Sequence, residues 1–233
     1  MIVSHQHQFV FIHNPKCAGS SFRSQIGHLH DDPTSFWDIQ TNEHLGLPQD
    51  FAHLRLWELQ AFHGDLFARI AHYRSVVFVR NPFRRLVSSL SEHIARFRPE
   101  FAFETLDQAG QREVIDGILG ELSAERLVAD FRYVHFSPQH WFISLPGQPP
   151  AWTVVPISDA PDSILPGFDA LGLPRGASDI TNQTAYSCRH LLSYPRLLLF
   201  TLDFYAADFA LFRALGLPDR FAALPVGHEL ALA

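Results

Sequence analysis

Two segments of this sequence have the pattern of a short apolar strand that ends in a polar loop and continues as a helix. In the first, the run Phe-Val-Phe-Ile at 9–12 is followed by a loop, and a helix is predicted to begin at Ser20 or Ser21. In the second, a strand at 75–79 is followed by a short loop and by an apolar stripe with helical spacing over 83–97. Strands that alternate with helices predict an α/β fold with a central, mostly parallel sheet flanked by helices.

The remaining elements follow from periodicity and composition. Further helices are predicted over 54–73 with a break at Gly64, and over 113–131, 138–142 and 195–215, and a third strand over 152–157. Two stretches rich in Pro, Gly and Asp, 31–50 and 160–184, are predicted to be loops. A chain of 233 residues has the length of one sizeable domain, so a single domain over 1–233 is expected.

The first loop has the composition of a phosphate-binding site. Lys16 is the only lysine among the 18 basic residues, and it stands among small residues that let a backbone wrap a phosphate. The first amides and the dipole of the following helix also attract anions. The lysine precedes the glycine, so the loop is not a Walker A motif, and an ordinary strand-to-helix turn is the alternative interpretation. The residues in question are Pro15, Lys16, Cys17, Ala18, Gly19, Ser20 and Ser21.

The second loop offers cations and a hydroxyl group. Arg80 ends the strand, and Ser88 lies eight positions later inside the next helix, so the two side chains could converge on a second phosphate. Arg84 and Arg85 stand between them, and at least one of these is predicted to lie on a solvated face of the helix.

The segments FIHNPKCAGSSFR and VVFVRNPFRRLVSSL, in this order and each after a strand, resemble the two nucleotide-binding signatures of sulfotransferases that use 3′-phosphoadenosine-5′-phosphosulfate (PAPS). The likeness is greatest to the carbohydrate and heparan-sulfate 2-O branch. The resemblance implies a P-loop-like three-layer fold and PAPS as co-substrate. It also implies that Lys16 and the loop from Cys17 to Ser21 meet the 5′-phosphosulfate, and that Arg80 and Ser88 hold the 3′-phosphate.

Weaker likenesses extend the match. Phe62-His63-Gly64 resembles the family segment that supplies a catalytic histidine, and the segment HFSPQ at 135–139 resembles a His-x-x-Pro-Gln segment of carbohydrate sulfotransferases. Asp65 stands where the heparan-sulfate branch has a second histidine, so any role of that histidine is lost or moved.

Transfer of a sulfuryl group needs a base for the acceptor hydroxyl, and a histidine titrates near neutral pH. His63 is the first candidate, with Asp65, His93 and His135 as alternatives. The scheme requires no metal, and no His or Cys cluster has zinc-ligand spacing. A carbohydrate is favoured as acceptor by the resemblance, while the 21 phenylalanines leave a lipid or a small metabolite open.

Two other functions fit part of the sequence. Cys17 to Ser24 spells C-x5-R-S, the phosphate loop of cysteine-dependent phosphatases, with Cys17 as nucleophile and Arg23 as phosphate ligand. That function gives no role to Lys16, Arg80 or Ser88. A catalytically silent nucleotide-binding module is the non-enzymatic alternative.

Composition excludes some partners. A formal net charge of −6 argues against binding to nucleic acid, and no apolar stretch reaches the length of a membrane span. The N-terminal residues lack the pattern of a signal peptide, and two cysteines do not make a disulfide framework, so a cytoplasmic location is expected. The sequence does not indicate an oligomeric state.

Overall fold

The strands predicted at 9–12 and 75–79 form the middle of a four-stranded sheet in the computed structural model, which describes residues 1–175, 188 and 193–223. The strands are β1 (Ile2–Ser4), β2 (Phe9–Ile12), β3 (Ile39–Asn42), β4 (Leu47–Asp50), β5 (Arg74–Val79) and β6 (Val154–Pro156). The sheet has the order β1-β2-β5-β6: β2 pairs parallel to β5, β5 pairs parallel to β6, and β1 pairs antiparallel to β2. A separate hairpin pairs β3 with β4.

The described residues divide into two compact units. The first unit comprises residues 1–80 and 139–175 and contains all six strands; the second comprises residues 81–138, 188 and 193–223 and is helical. Helices of the first unit are α1 (Gly19–Ile26), α2 (Leu56–Phe62), α3 (Gly64–Ile70), α7 (His140–Ile143) and α8 (Leu165–Leu171). Helices of the second unit are α4 (Pro82–Phe97), α5 (Gln108–Glu121), α6 (Ala124–Ala129), α9 (Pro195–Phe204), α10 (Ala206–Ala214) and α11 (Asp219–Ala222).

An aromatic cluster fixes α1 and α8 against the sheet of the first unit. The ring of Phe22 on α1 lies 5.0 Å from Phe11, 4.8 Å from Phe78 and 4.7 Å from Phe168 on α8. A Cβ on Gly167 would lie 2.5 Å from the Phe78 ring, so this glycine allows α8 to approach β5 closely. Because both ends of the loop between β2 and α1 are held by this core, the loop has a fixed position.

The second unit contains a buried arginine on α4. At least one of Arg84 and Arg85 was predicted to lie on a solvated helix face: Arg84 is half-buried, whereas Arg85 is fully buried and donates from Nη2 to the carbonyl oxygen of Ser137 at 2.7 Å. Tyr205 and Asp208 are also buried, and burial raises the pKa of the Tyr205 hydroxyl. Arg85 therefore joins α4 to the segment around Ser137 inside this unit.

The strands predicted at 9–12, 75–79 and 152–157, and the helices at 83–97 and on either side of Gly64, are confirmed. The loop predicted at 31–50 contains the β3–β4 hairpin, which buries the polar Asn42 and Gln49 and exposes the apolar Ile39 and Leu47, so no apolar alternation marks its strands. The loop predicted at 160–184 contains α8, and its residues 176–184 lie outside the described part of the chain.

Two predicted helices are interrupted, and one predicted cap is wrong. The helix predicted at 113–131 breaks before Ser123, whose hydroxyl caps α6, and the helix predicted at 195–215 breaks at the buried Tyr205. The serine cap expected for α1 is absent: α1 begins at Gly19 after Ala18, which has no side-chain capping bond.

The fold class, a mixed α/β structure with a mostly parallel central sheet flanked by helices, is confirmed. A single domain and a three-layer P-loop-like arrangement stay predictions. Within the described residues, no helix combines the length and apolarity that crossing a membrane would require.

Candidate nucleotide-binding site

The loop between β2 and α1 follows an unusual backbone path. Lys16 and Ala18 both adopt left-handed conformations, with φ of 60° and 54°. Residues other than glycine rarely adopt positive φ, because the Cβ atom then crowds the backbone. Such conformations persist where the surrounding structure fixes them, and they concentrate at ligand sites. The side chain of Lys16 is half-buried at this turn.

Gly19, the first residue of α1, is required by close packing. A Cβ at this position would lie 2.0 Å from Cδ2 of His13. The His13 ring cannot move away easily, since it stacks on Phe11 at 5.8 Å and lies 4.4 Å from the ring of His53. Gly19 and Ser20 begin α1, where backbone amides have no acceptor within the helix and attract anions.

Arg80 meets the Lys16 loop at the edge of the sheet. Because β2 and β5 are parallel neighbours, their carboxyl ends lie at the same edge, where ligands of open α/β sheets bind. Nη1 of Arg80 donates to the carbonyl oxygen of Lys16 at 3.4 Å, and Nη2 pairs with the carboxylate of Asp159. Nε of Arg80 is buried and has no hydrogen-bond partner among the described residues. The structure thus brings the Arg80 side chain to the backbone of the loop that carries Lys16.

The other residues predicted to bind nucleotide are distributed as follows. Cys17 and Ser21 are buried, and Ala18 and Ser20 are half-buried. Ser88 is half-buried in the second turn of α4 and belongs to the second unit.

The arrangement of Cys17 does not support a cysteine-dependent phosphatase. Its side chain is fully buried, and Sγ donates to Oε1 of Gln139 at 3.4 Å. The guanidinium of Arg23, the phosphate ligand of that scheme, lies 3.5 Å from the centre of the Trp37 ring. A phosphatase needs an accessible thiolate under a phosphate-facing arginine, and neither condition is met.

Sequence reasoning did not assign a role to Gln139 or to Asp159. The family likeness of the segment at 135–139 does not indicate that the Gln139 amide contacts Cys17 in the first loop and the backbone of Arg80 in the second. Asp159 lies between the strand predicted at 152–157 and the loop predicted at 160–184, and its pairing with Arg80 spans 79 positions in sequence. No local signal identifies either contact.

His63 lies between α2 and α3 and lines a cavity. Its half-buried ring is edge-on to Phe36 and Phe51, at 6.1 and 5.7 Å. Burial lowers the pKa of its imidazole, while the charge of Asp32 opposes this effect. The cavity has a volume of about 440 Å³ and is lined by Asp32, Pro33, Thr34, Phe62, His63, Gly64, Asp65, Leu66 and Arg69.

A family model described as "Sulfotransferase family" matches residues 1–151, which is more than half of the chain. The protein belongs to the sulfotransferase family. The match includes the Lys16 loop, Arg80, Ser88 and His63, and it ends before β6. No curated protein and no solved structure gives a match to the chain.

The other residues predicted as candidates for the base of this sulfotransferase differ in exposure and in the unit to which they belong. Asp65 is exposed and lines the His63 cavity. His93 and His135 are buried in the second unit, where burial lowers the pKa of His93.

His53, which sequence reasoning did not consider, is buried in the first unit beside the start of the Lys16 loop. Its Nδ1 lies 2.9 Å from the carbonyl oxygen of His13. Since a carbonyl only accepts hydrogen bonds, Nδ1 carries the proton and Nε2 is the basic nitrogen of the neutral ring.

Proposed function

We propose that the protein transfers the sulfuryl group of PAPS to a hydroxyl group of an acceptor. The observation that supports this most is the contact of the Arg80 guanidinium with the Lys16 carbonyl at 3.4 Å, beside the first turn of α1. This contact joins two sequence signatures into one cationic site. Lys16 and the amides from Cys17 to Ser21 are proposed to bind the 5′-phosphosulfate, and Arg80 the 3′-phosphate.

The donor set fits a nucleotide that carries two anionic groups. Lysine provides a point charge, whereas arginine provides several directed donors, of which Nε of Arg80 is buried without a partner in the described structure. When bound, PAPS supplies the sulfuryl group and a phosphate leaving group. Lys16 and the first amides of α1 would then stabilise the charge that develops on that phosphate. Ser88 is also proposed to bind the 3′-phosphate, and the PAPS affinity of Ser88→Ala tests this role.

A histidine is proposed as the general base. His63 has a pKa below the ordinary value of 6.5 because of burial, so its imidazole is neutral and able to accept a proton at pH 7. His53 is the competing candidate, since it is oriented by the His13 carbonyl next to the Lys16 loop. Comparison of His63→Ala with His53→Ala separates the two, because only loss of the base removes turnover while PAPS binding is kept.

The proposed acceptor is a carbohydrate, as in the carbohydrate and heparan-sulfate 2-O branch. The cavity beside His63 combines the carboxylates of Asp32 and Asp65, the hydroxyl of Thr34 and the guanidinium of Arg69 with the ring of Phe62. Polar groups next to an aromatic surface suit a ligand that carries both hydroxyl groups and apolar ring faces. Cys17 and Cys188 are buried thiols and form no disulfide within the described residues, and the cytoplasm is kept as the proposed location.

The test is transfer of labelled sulfate from PAPS to a panel of hydroxyl-bearing acceptors, in which oligosaccharides, lipids and small metabolites are compared. Label is expected in oligosaccharides with the wild-type protein and is expected to disappear with Lys16→Ala and Arg80→Ala. Binding of PAPS without transfer to any acceptor would instead identify a silent nucleotide-binding module. Transfer that continues unchanged in Lys16→Ala would refute the proposed site.

A further inference from the structure

The side chain of Gln139 is fully buried in the first unit and contacts both loops of the proposed site. It precedes α7, and its partners in the loops lie 59 to 125 positions away in sequence. A glutamine side chain has one acceptor oxygen and two donor hydrogens, and a buried one must bond nearby protein groups. Its partners therefore show which segments it connects.

Two of its bonds hold the backbone of Arg80. Oε1 of Gln139 accepts from the backbone nitrogen of Arg80 at 3.0 Å, and Nε2 donates to the carbonyl oxygen of Arg80 at 2.8 Å. The ladder between β5 and β6 ends where Val79 stands opposite Pro156, so Arg80 lies just beyond it. The amide of Gln139 thus satisfies both backbone groups of Arg80 as a neighbouring strand would, and it fixes the direction in which that side chain leaves the sheet.

Two more bonds hold the loop on either side of Lys16. Oε1 of Gln139 also accepts from Nδ2 of Asn14 at 3.2 Å and from Sγ of Cys17 at 3.4 Å. Nδ2 of Asn14 donates in addition to the carbonyl oxygen of Phe78 on β5, at 2.9 Å. One buried side chain therefore connects the residues that flank Lys16 with the backbone of Arg80.

We propose that Gln139 is a positioning residue that sets Lys16 and Arg80 at the separation that the donor nucleotide requires. The proposal rests on the proposed function, in which these two cations bind the two anionic groups of one ligand. Only an amide of this length meets the need: a carboxylate cannot donate to the Arg80 carbonyl, an aliphatic side chain can neither donate nor accept, and asparagine is one methylene shorter. Small misplacement of binding groups is known to cost large factors in binding and rate.

The experiment compares Gln139→Met with Gln49→Met by calorimetric titration of 3′-phosphoadenosine-5′-phosphate (PAP), with thermal unfolding of each variant. Gln49 is a matched control because it is also a buried glutamine of the first unit, and its Oε1 accepts from Nδ2 of Asn42 at 2.6 Å. Gln139→Met is expected to weaken PAP binding on the order of tenfold or more, and Gln49→Met by less than about twofold, at similar losses of stability. Equal effects of the two substitutions on PAP affinity would overturn the proposal.

A double-mutant cycle with Arg80→Ala separates positioning from a general loss of structure. If Gln139 acts through Arg80, Gln139→Met should weaken PAP binding less in the Arg80→Ala background than in the wild type. In that background the loss of affinity should be about threefold or smaller. A cost that is the same in both backgrounds would contradict the proposal. Wild-type PAP affinity of Arg80→Ala alone would instead refute the proposed function, so the two failures are distinguishable.

Gln139→Asn provides a second variant in case Gln139→Met does not fold. It keeps a neutral amide and adds no charge, but its side chain is one methylene shorter, so it cannot keep both bonds to the Arg80 backbone from the same position. A weaker PAP affinity, by about threefold or more, supports the proposal, and wild-type affinity contradicts it.

Discussion

The ion pair between Arg80 and Asp159 predicts that removal of one negative charge tightens nucleotide binding. The Arg80 side chain is 15% exposed and that of Asp159 is 34% exposed, so the pair is partly screened by water. A phosphate that binds Arg80 must compete with this carboxylate. Asp159→Asn keeps the size of the side chain and removes its charge.

The magnitude follows from the value of such a pair. Partly exposed ion pairs contribute about 1 kcal/mol or less, and 1.4 kcal/mol corresponds to a factor of ten in affinity. Asp159→Asn should therefore tighten PAP binding by up to about fivefold. Repulsion between the carboxylate and the phosphate acts in the same direction, and the effect should shrink at high ionic strength.

Calorimetric titration of PAP at low and high salt measures this change. Asp169→Asn is the control: it removes the same charge from an exposed ion pair with Arg175 in the first unit, at 2.6 Å, outside the proposed site. We expect no change of PAP affinity in this control. Weaker PAP binding in Asp159→Asn would refute the reasoning, because it would mean that Asp159 supports Arg80 instead of competing for it.

Three further predictions concern the loop and the base. Gly19→Ala should lower the free energy of unfolding in urea by about 1–3 kcal/mol, because the added Cβ would overlap the His13 ring. Gly117→Ala is the control, since the space around its Cβ is open, and it should not destabilise the protein. Equal effects of the two substitutions would contradict the packing argument. Cys17→Ser should keep PAP affinity and sulfate transfer, since a hydroxyl group can also donate to Oε1 of Gln139. Loss of activity in this variant would instead support Cys17 as a nucleophile. If His63 is the base, sulfate transfer should fall only below pH 6.5, because the neutral imidazole is the active form and burial lowers its pKa. Asp32→Asn removes a charge that raises this pKa, so the decline should move to still lower pH. The same pH profile in Asp32→Asn and the wild type would exclude His63 as the base.

The sequence was sufficient to predict the elements that carry the site. The apolar runs of β2 and β5 end abruptly at polar residues and prolines, and these local signals identified both loops. Parallel pairing of the two strands then brings Lys16 and Arg80 to one edge of the sheet, as the order of the two signatures implied. These strands and loops are determined by residues that are close in sequence, so they could be predicted from the sequence.

The contacts that complete the site are not local. Gln139 reaches Asn14 across 125 positions, and Asp159 reaches Arg80 across 79, so neither pairing has a periodic or compositional signal. The burial of Arg85 was missed for the same reason, because its acceptor, the Ser137 carbonyl, comes from a distant segment. The β3–β4 hairpin was missed because its buried side chains, Asn42 and Gln49, are polar and pair with each other across the strands, so no apolar alternation marks them.

The most direct test of the proposed nucleotide site is the affinity of Lys16→Ala for PAP, measured by calorimetry beside its free energy of unfolding. Lys16 is the only lysine of the chain, and its side chain is only half-buried, so its removal should cost less packing than the removal of a core side chain. A hydrogen bond to a charged group contributes about 1.5–3 kcal/mol, which predicts PAP binding weaker by about tenfold to a hundredfold. Wild-type affinity in a folded Lys16→Ala protein would contradict the central claim that this loop binds the nucleotide.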